Sequence, residues 1–309
     1  MVSRMARLLC VLTLALLALG QTACGPTEPA SEALKLAYLP SEEDTEERME
    51  AFQLLADHIS AYVRQPVEII RASSYAPTIE AMRARKIDII RAGGSFTYMI
   101  AHEKAGAEAI VAVGTASAGP GLYQSALVTS ASSGIKTLAD LKARSREIDF
   151  AFVDPASTSG HLVPRAFLET QGINPEKDFK QLIFTMSHLN SVMTVRSGKV
   201  DAGAISLSTY NRMVEQNRLD PAELTILWTS PPIPTGPVMV RQDLPEAVKK
   251  GIQAAYLALN DEESPLMEAM RQVYNREDVR FFPAEDRDWD GLRQIAHNLE
   301  TMVLLNPEG

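Results

Sequence analysis

The stretch Phe150-Ala151-Phe152-Val153-Asp154-Pro155-Ala156-Ser157-Thr158-Ser159-Gly160 decides how this chain is read. Its first four residues form an apolar run of strand type, and the segment from His161 to Gln171 that follows reads as a helix. The heptapeptide Asp154 to Gly160 therefore lies where a sheet strand turns into a helix. N–H groups at a helix start have no carbonyl partners, and the helix dipole adds partial positive charge there, so the place suits an anion. Ser157, Thr158 and Ser159 add rotatable hydroxyl donors, and Gly160 lets the backbone approach closely. Ser and Thr are also ordinary N-caps, and Asp-Pro is an ordinary turn. A Walker loop is excluded, because the heptapeptide holds no Lys and lacks the Gly-x-x-x-x-Gly-Lys-Ser/Thr spacing.

Working outward, strand-like and helix-like segments alternate on both sides of this loop. Leu34 to Leu39, Val67 to Arg71 and Ile87 to Arg91 read as strands, separated by an amphipathic helix from Glu46 to Val63 and a second helix from Tyr75 to Arg85. After Gln124 to Thr129 and a helix from Thr137 to Arg144, the same alternation continues through Phe179 to Thr185, Asn190 to Gly198 and Ala202 to Ser206. Leu224 to Thr229 and Pro237 to Arg241 add two strands, and the remainder reads as mainly helical with a break at Phe281-Phe282-Pro283. This pattern predicts an α/β chain of two lobes, each a mostly parallel sheet flanked by helices, with a ligand cleft between them. About 275 residues are enough for two such lobes. The expected division is 34–124 with 237–309 for lobe 1 and 125–236 for lobe 2. Two further loops stand at strand carboxyl ends, Ser73-Ser74-Tyr75 and Gly93-Gly94-Ser95, and can converge with the first on one cavity.

Residues 1–23 have the layout of an export signal: Arg4 and Arg7, an apolar segment from Leu8 to Leu19 too short to span a bilayer comfortably, then small and polar residues to Ala23. Cys24 after Ala23 resembles the lipobox cysteine of bacterial lipoproteins, with Gln21 where that pattern prefers Leu. Cys10 falls in the expected signal, which leaves one cysteine and no internal disulfide. Residues 24–33, with Pro26 and Pro29, read as a flexible tether. The formal charge of −9 becomes −11 once Arg4 and Arg7 are removed, which argues against a nucleic-acid partner.

These residues together resemble the periplasmic phosphonate-binding proteins of ABC importers, a group that includes phosphite and phosphate binders. Asp154-Pro-Ala-Ser-Thr-Ser-Gly160 with Pro164 matches that family's Asp-Pro-x-Ser-Thr-Ser-Gly loop. Ser74-Tyr75, Lys86-Ile-Asp88, Gly121-Leu-Tyr123-Gln-Ser125, Ser187-His188 and Val195 to Ala202 carry the rest of the likeness, which spans most of 34–285. The resemblance implies a type II periplasmic-binding-protein fold. It places Ser157, Thr158, Ser159, Tyr75, Tyr123 and His188 around a small phosphorus oxyanion: phosphite, phosphate or a methylphosphonate-like ligand. It also implies a lipoprotein of the periplasm or cell exterior that works with a permease of the inner membrane as a monomer, without cofactor or metal. Members that take aminoalkyl phosphonates hold the ammonium with acidic residues at the places occupied here by Ser208 and Gly236, so an aminoalkyl ligand is disfavoured.

A sensory module that contacts a receptor instead of a permease is a second reading, and a phosphate-handling enzyme a third. Against the enzyme stand histidines without metal-ligand spacing (His58, His102, His161, His188 and His297) and the lack of a Gly-x-Ser-x-Gly elbow.

Overall fold

The computed structural model describes residues 32–39, 45–91, 93–261 and 263–297. The expected signal segment, Cys24 and the tether up to residue 31 lie outside the described residues. In chain order the elements are β1 (Leu34–Tyr38), α1 (Glu46–Val63), β2 (Val67–Arg71), α2 (Tyr75–Arg83), β3 (Ile89–Arg91), α3 (Ser95–Ala105), β4 (Ala107–Thr115), β5 (Gly119–Pro120), β6 (Leu122–Tyr123) and β7 (Ser125–Ser130). They continue with α4 (Leu138–Ala143), β8 (Asp149–Phe152), α5 (Val163–Thr170), α6 (Pro175–Asp178), β9 (Gln181–Phe184), α7 (His188–Arg196), β10 (Ala202–Ser206), α8 (Leu207–Glu215) and β11 (Leu224–Thr229). The last are β12 (Ile233–Pro234), β13 (Val238–Arg241), α9 (Glu246–Ala258), α10 (Pro265–Tyr274), β14 (Val279–Pro283) and α11 (Asp290–His297).

Each lobe is built on its own sheet, and both sheets are mixed, with parallel pairs among the helix-linked strands and antiparallel pairs elsewhere. The first has the order β14-β4-β13-β3-β1-β2 with β5 on β4, and the second β11-β7-β10-β8-β9. Strand direction follows from how each strand is fed. β2, β1 and β3 are joined through helices and pair in parallel, as do β10, β8 and β9. β13 and β7 arrive instead from the two stretches that cross between lobes, and each inserts antiparallel between strands of the opposite sense. The two crossing stretches pair with each other as β6 and β12, with Tyr123 opposite Ile233. Trp289 braces this hinge by donating its indole N–H to the Thr235 carbonyl at 3.0 Å.

In the first lobe one sheet face packs Leu36, Ile89 and Val240 on Phe52, Leu55, Ile252 and Tyr256 of α1 and α9. The other face packs Ile90 and Met239 on Phe96, Met99 and Ile100 of α3. The second lobe is built the same way, with Val128, Ala151 and Ile205 on Val192, Val195 and Met213, and Leu127 and Phe150 on Leu141 and Leu168.

Three local results differ from the sequence reading. α3 and β4, between Gly94 and Thr115, add a helix and a nine-residue strand to the first lobe that periodicity did not suggest. Residues 281–283 do not break a helical region: Val279–Pro283 is a strand lying antiparallel on β4. The helix expected from His161 begins earlier, as a π turn over Thr158–Leu162 that leads into α5. Pro164 explains the wide turn. It has no N–H for the Gly160 carbonyl four residues back, so that carbonyl accepts from Val153 N at 2.9 Å, and Leu162 N reaches back five residues to Ser157 O at 3.0 Å. His161 holds the turn from below by donating Nδ1–H to the Pro155 carbonyl at 2.9 Å, its ring against Phe152 and Phe184.

Two predictions come from this framework. Asp88, buried, accepts Lys35 N at 2.7 Å on one carboxylate oxygen and Arg241 Nε and Nη2 at 3.0 and 2.8 Å on the other, tying β13 into the sheet. Asp88→Asn is expected to lower unfolding free energy by about 2 kcal/mol in a denaturant titration, because it leaves the largely buried Arg241 guanidinium with Asp243 as its remaining carboxylate partner. Burial holds the His161 imidazole down to about 4, with the bond to Pro155 pulling weakly the other way. The folded pKa lies below the unfolded value of about 6.5, so the contribution of neutral His161 is complete above that pH and is lost as pH falls toward 4. An NMR titration of the His161 ring carbons is expected to show no protonation between pH 8 and about 5.

Candidate functional site

The heptapeptide does not merely cap its own helix; it is fastened to the other lobe. Asp154 is fully buried and accepts from Ala156 N at 2.8 Å and from Tyr75 N, the first residue of α2, at 3.3 Å. Thr158 Oγ1 accepts from Phe96 N at the start of α3 at 2.8 Å, and Thr97 Oγ1 donates to the Ala156 carbonyl at 2.9 Å. Ser95 adds a hydroxyl bond from the start of α3 to the Pro234 carbonyl of the hinge. Gly94 is required at this seam, since a Cβ there would drive into the Thr158 hydroxyl.

Beside this seam lies a cavity of about 500 Å³ between the lobes. Tyr75, Tyr123, Ser157, Ser159 and His188 all line it, whereas Thr158, whose hydroxyl is engaged with α3, does not. The lining also contains the first or capping residue of every helix that opens here: Tyr75 for α2, Gly94 for α3, Ser157 for the π turn, His188 for α7 and Ser206 for α8. Five helix starts thus turn their partial positive charge toward one space. The sequence pointed to three of them. The α7 and α8 starts carry the same signal, Ser187 before His188 and Ser206 before Leu207, and could have been added on that ground.

The sequence-predicted side chains in the lining are neutral, and Arg212 and Arg276 add two cations to it. Ser157 Oγ caps its own turn by accepting from Gly160 N at 3.1 Å, which leaves its hydroxyl hydrogen available. Ser125 Oγ donates to the Ser159 carbonyl at 2.7 Å, holding that residue at the cavity wall. His188 is buried and its Nδ1 accepts from Ser206 N at 3.0 Å, which assigns the ring hydrogen to Nε2 as a donor. Burial holds this imidazole down to about 4, so it stays neutral at physiological pH. Burial also raises both tyrosines. Tyr123 and Asp154 push Tyr75 further up, while the hydroxyls of Ser159 and Thr158 temper the rise at Tyr123. Asp154 is likewise raised by burial, against the two N–H groups that it accepts.

The two positions that carry acids in aminoalkyl-binding members have different surroundings here. Ser208 is exposed and lines the cavity. Gly236 also lines it, but a Cβ there would stand 2.5 Å from the Gly93 carbonyl oxygen and 2.8 Å from that of Gly94, so no side chain fits. A smaller cavity of about 330 Å³ lies nearby, lined by Arg48, Met213, Gln216 and Gln272 among others, and none of the sequence-predicted residues reaches it. Among the described residues no group of three or more His, Cys, Asp or Glu is placed to hold a metal ion. No described helix is long and apolar enough to cross a membrane.

Comparison with known proteins agrees with this architecture. Residues 36–289 match the family described as ABC transporter, phosphonate, periplasmic substrate-binding protein. The phosphonates-binding periplasmic protein of Escherichia coli (strain K12) is 30% identical over 181 residues, 59% of this chain and 53% of that protein, so the match spans about half of that relative's length. The phosphate-import protein PhnD of Mycolicibacterium smegmatis is 27% identical across 86% of this chain and 85% of its own length. Among solved structures, the binding protein component of an ABC phosphonate transporter from Pseudomonas aeruginosa superposes with a TM-score of 0.75 at 24% identity, covering 89% of each chain. PhnD1 from Prochlorococcus marinus in complex with methylphosphonate gives 0.73 at 22% identity, covering 87% of this chain and 98% of that one. With two crossing strands, two sheets and a match along 36–289, the chain belongs to the periplasmic phosphonate substrate-binding family of ABC transporters.

Proposed function

We propose that this protein captures a small phosphorus oxyanion, such as phosphite, phosphate or a methylphosphonate-like ligand, and delivers it to an ABC permease of the inner membrane. The observation that carries the reading is the convergence of five helix starts on one cavity lined by Ser157, Ser159, Tyr75, Tyr123 and His188. Hydroxyl, imidazole and backbone N–H donors hold a tetrahedral anion through charge-assisted hydrogen bonds, with Arg212 and Arg276 also in the lining. Thr158 serves the same site by fixing the loop to α3. The lobes assigned here are 34–124 with 237–309, and 125–236. A ligand bridging them binds the closed state better than the open one and so shifts the population toward closure. At the mouth, Asn275 Nδ2 donates to Glu215 Oε2 at 2.9 Å from the end of α10 to the end of α8, which adds to that state. Attachment through a lipid on Cys24 and action as a monomer belong to the same reading, which assigns the protein no covalent chemistry.

Calorimetry on the purified chain tests the ligand class. Phosphite, phosphate or methylphosphonate is expected to bind near micromolar or tighter, roughly −8 kcal/mol. Ser159→Ala is expected to weaken the best of them roughly 10- to 100-fold, the cost of one hydrogen bond to a charged group. No binding of any of the three, or tight binding of 2-aminoethylphosphonate alone, rejects the assignment. Gly236→Asp is expected to weaken methylphosphonate binding and confer none for 2-aminoethylphosphonate, since the new side chain meets the Gly93 and Gly94 carbonyls. A gain of aminoalkyl binding in that variant would show that the seam can yield.

A further inference from the structure

Arg91 ends β3, two residues before the Gly93–Gly94 pair of the cavity wall, and is 1% exposed. Its guanidinium carbon lies 4.7 Å from the ring centre of Phe52 and 4.8 Å from that of Tyr274, and Tyr274 itself lines the cavity. Among the described residues no carboxylate stands within ion-pair distance of this guanidinium, and its Nε is sealed from solvent without a hydrogen-bond partner. A buried cation without a counter-charge is costly, and stacking between two rings recovers only part of that cost. A methionine would fill the gap between two rings.

Other charges stand nearer the cavity and differ from Arg91 in their surroundings. Asp154 places a buried carboxylate at the start of α2. Arg212 lines the cavity with Glu215 one turn further along the same helix, whose charge acts on it, and Arg276 is exposed. Arg91, by contrast, stands behind the lining and is buried. Its field already reaches its surroundings: it pulls the Tyr256 hydroxyl down against burial.

We propose that Arg91 is the electrostatic positioning residue of the oxyanion site, a buried cation behind the Tyr274 ring that attracts the ligand's charge without touching it and makes the cavity prefer a dianion to a monoanion of the same shape. This rests on the oxyanion reading above. Coulomb attraction acts across the ring because the intervening protein screens it far less than water does. Neutral donors in the cavity recognise shape and oxygen positions, and the buried charge recognises how negative the ligand is.

The test compares methylphosphonate with methanesulfonate by calorimetry, at one pH where the first is a dianion and the second a monoanion. In the unmodified chain methylphosphonate is expected to bind at least about tenfold tighter. Arg91→Met is expected to weaken methylphosphonate about tenfold or more and to contract the ratio toward one, whereas Arg91→Lys stays within about threefold of the unmodified chain. An unchanged ratio in Arg91→Met, or Arg91→Lys as weak as Arg91→Met, overturns the proposal, as does a ratio near one in the unmodified chain. Should Arg91→Met fail to fold, Arg91→Lys decides: retained affinity supports the role and lost affinity removes it. If neither compound binds, and phosphite and phosphate also fail, the oxyanion reading itself falls. If methylphosphonate binds with a ratio indifferent to Arg91, only this inference does.

Discussion

The hydrogen bond from Phe96 N to Thr158 Oγ1, with its companion from Tyr75 N to Asp154, is the constraint on which the rest of the site depends. Buried backbone N–H groups at helix starts must find acceptors, and the first turns of α2 and α3 find theirs on a loop of the opposite lobe. That need brings the loop against the seam and leaves Ser157 and Ser159, rather than Thr158, at the cavity wall. It also accounts for Gly94, whose bare Cα lets the threonine approach.

The hinge follows the same logic of backbone pairing. β6 and β12 pair with each other, so the two crossing stretches form one ribbon, and Tyr123 sits on that ribbon opposite Ile233. Tyr123 thus reaches the cavity wall from the ribbon that joins the lobes. The antiparallel insertion of β7 and β13 is the other consequence of crossing. A strand delivered by a hinge is not bound to the handed βαβ connection that keeps helix-linked neighbours parallel.

Local rules carried much of the architecture. α1, β1 and β2 lie within a residue of where periodicity and turn residues placed them, because α1 buries one face and the two strands are short apolar runs packed on both faces. α3 escaped the same reading for a physical reason: Phe96, Thr97, Tyr98, Met99, Ile100 and Ala101 are all buried, so the helix has no polar stripe to reveal its period. Its flanking Gly94 and the left-handed Gly106 were the remaining signs. β14 was hidden by Pro283, which reads as a breaker and is tolerated at the end of a strand at the sheet margin.

By itself the amino-acid sequence determined the kind of chemistry: hydroxyl-rich helix starts after strands, in an acidic chain with an export-type leader, suited to holding an anion. Those features are local, set by residues a few positions apart, and therefore readable along the chain. Only the tertiary structure decided which helix starts share one cavity, that Thr158 faces α3, that Gly236 admits no side chain, and that Arg91 stands buried with no carboxylate beside it among the described residues. Hydrogen bonding, steric exclusion and Coulomb interaction all depend on distance in space, and residues far apart in sequence meet only when the chain has crossed between its lobes and returned.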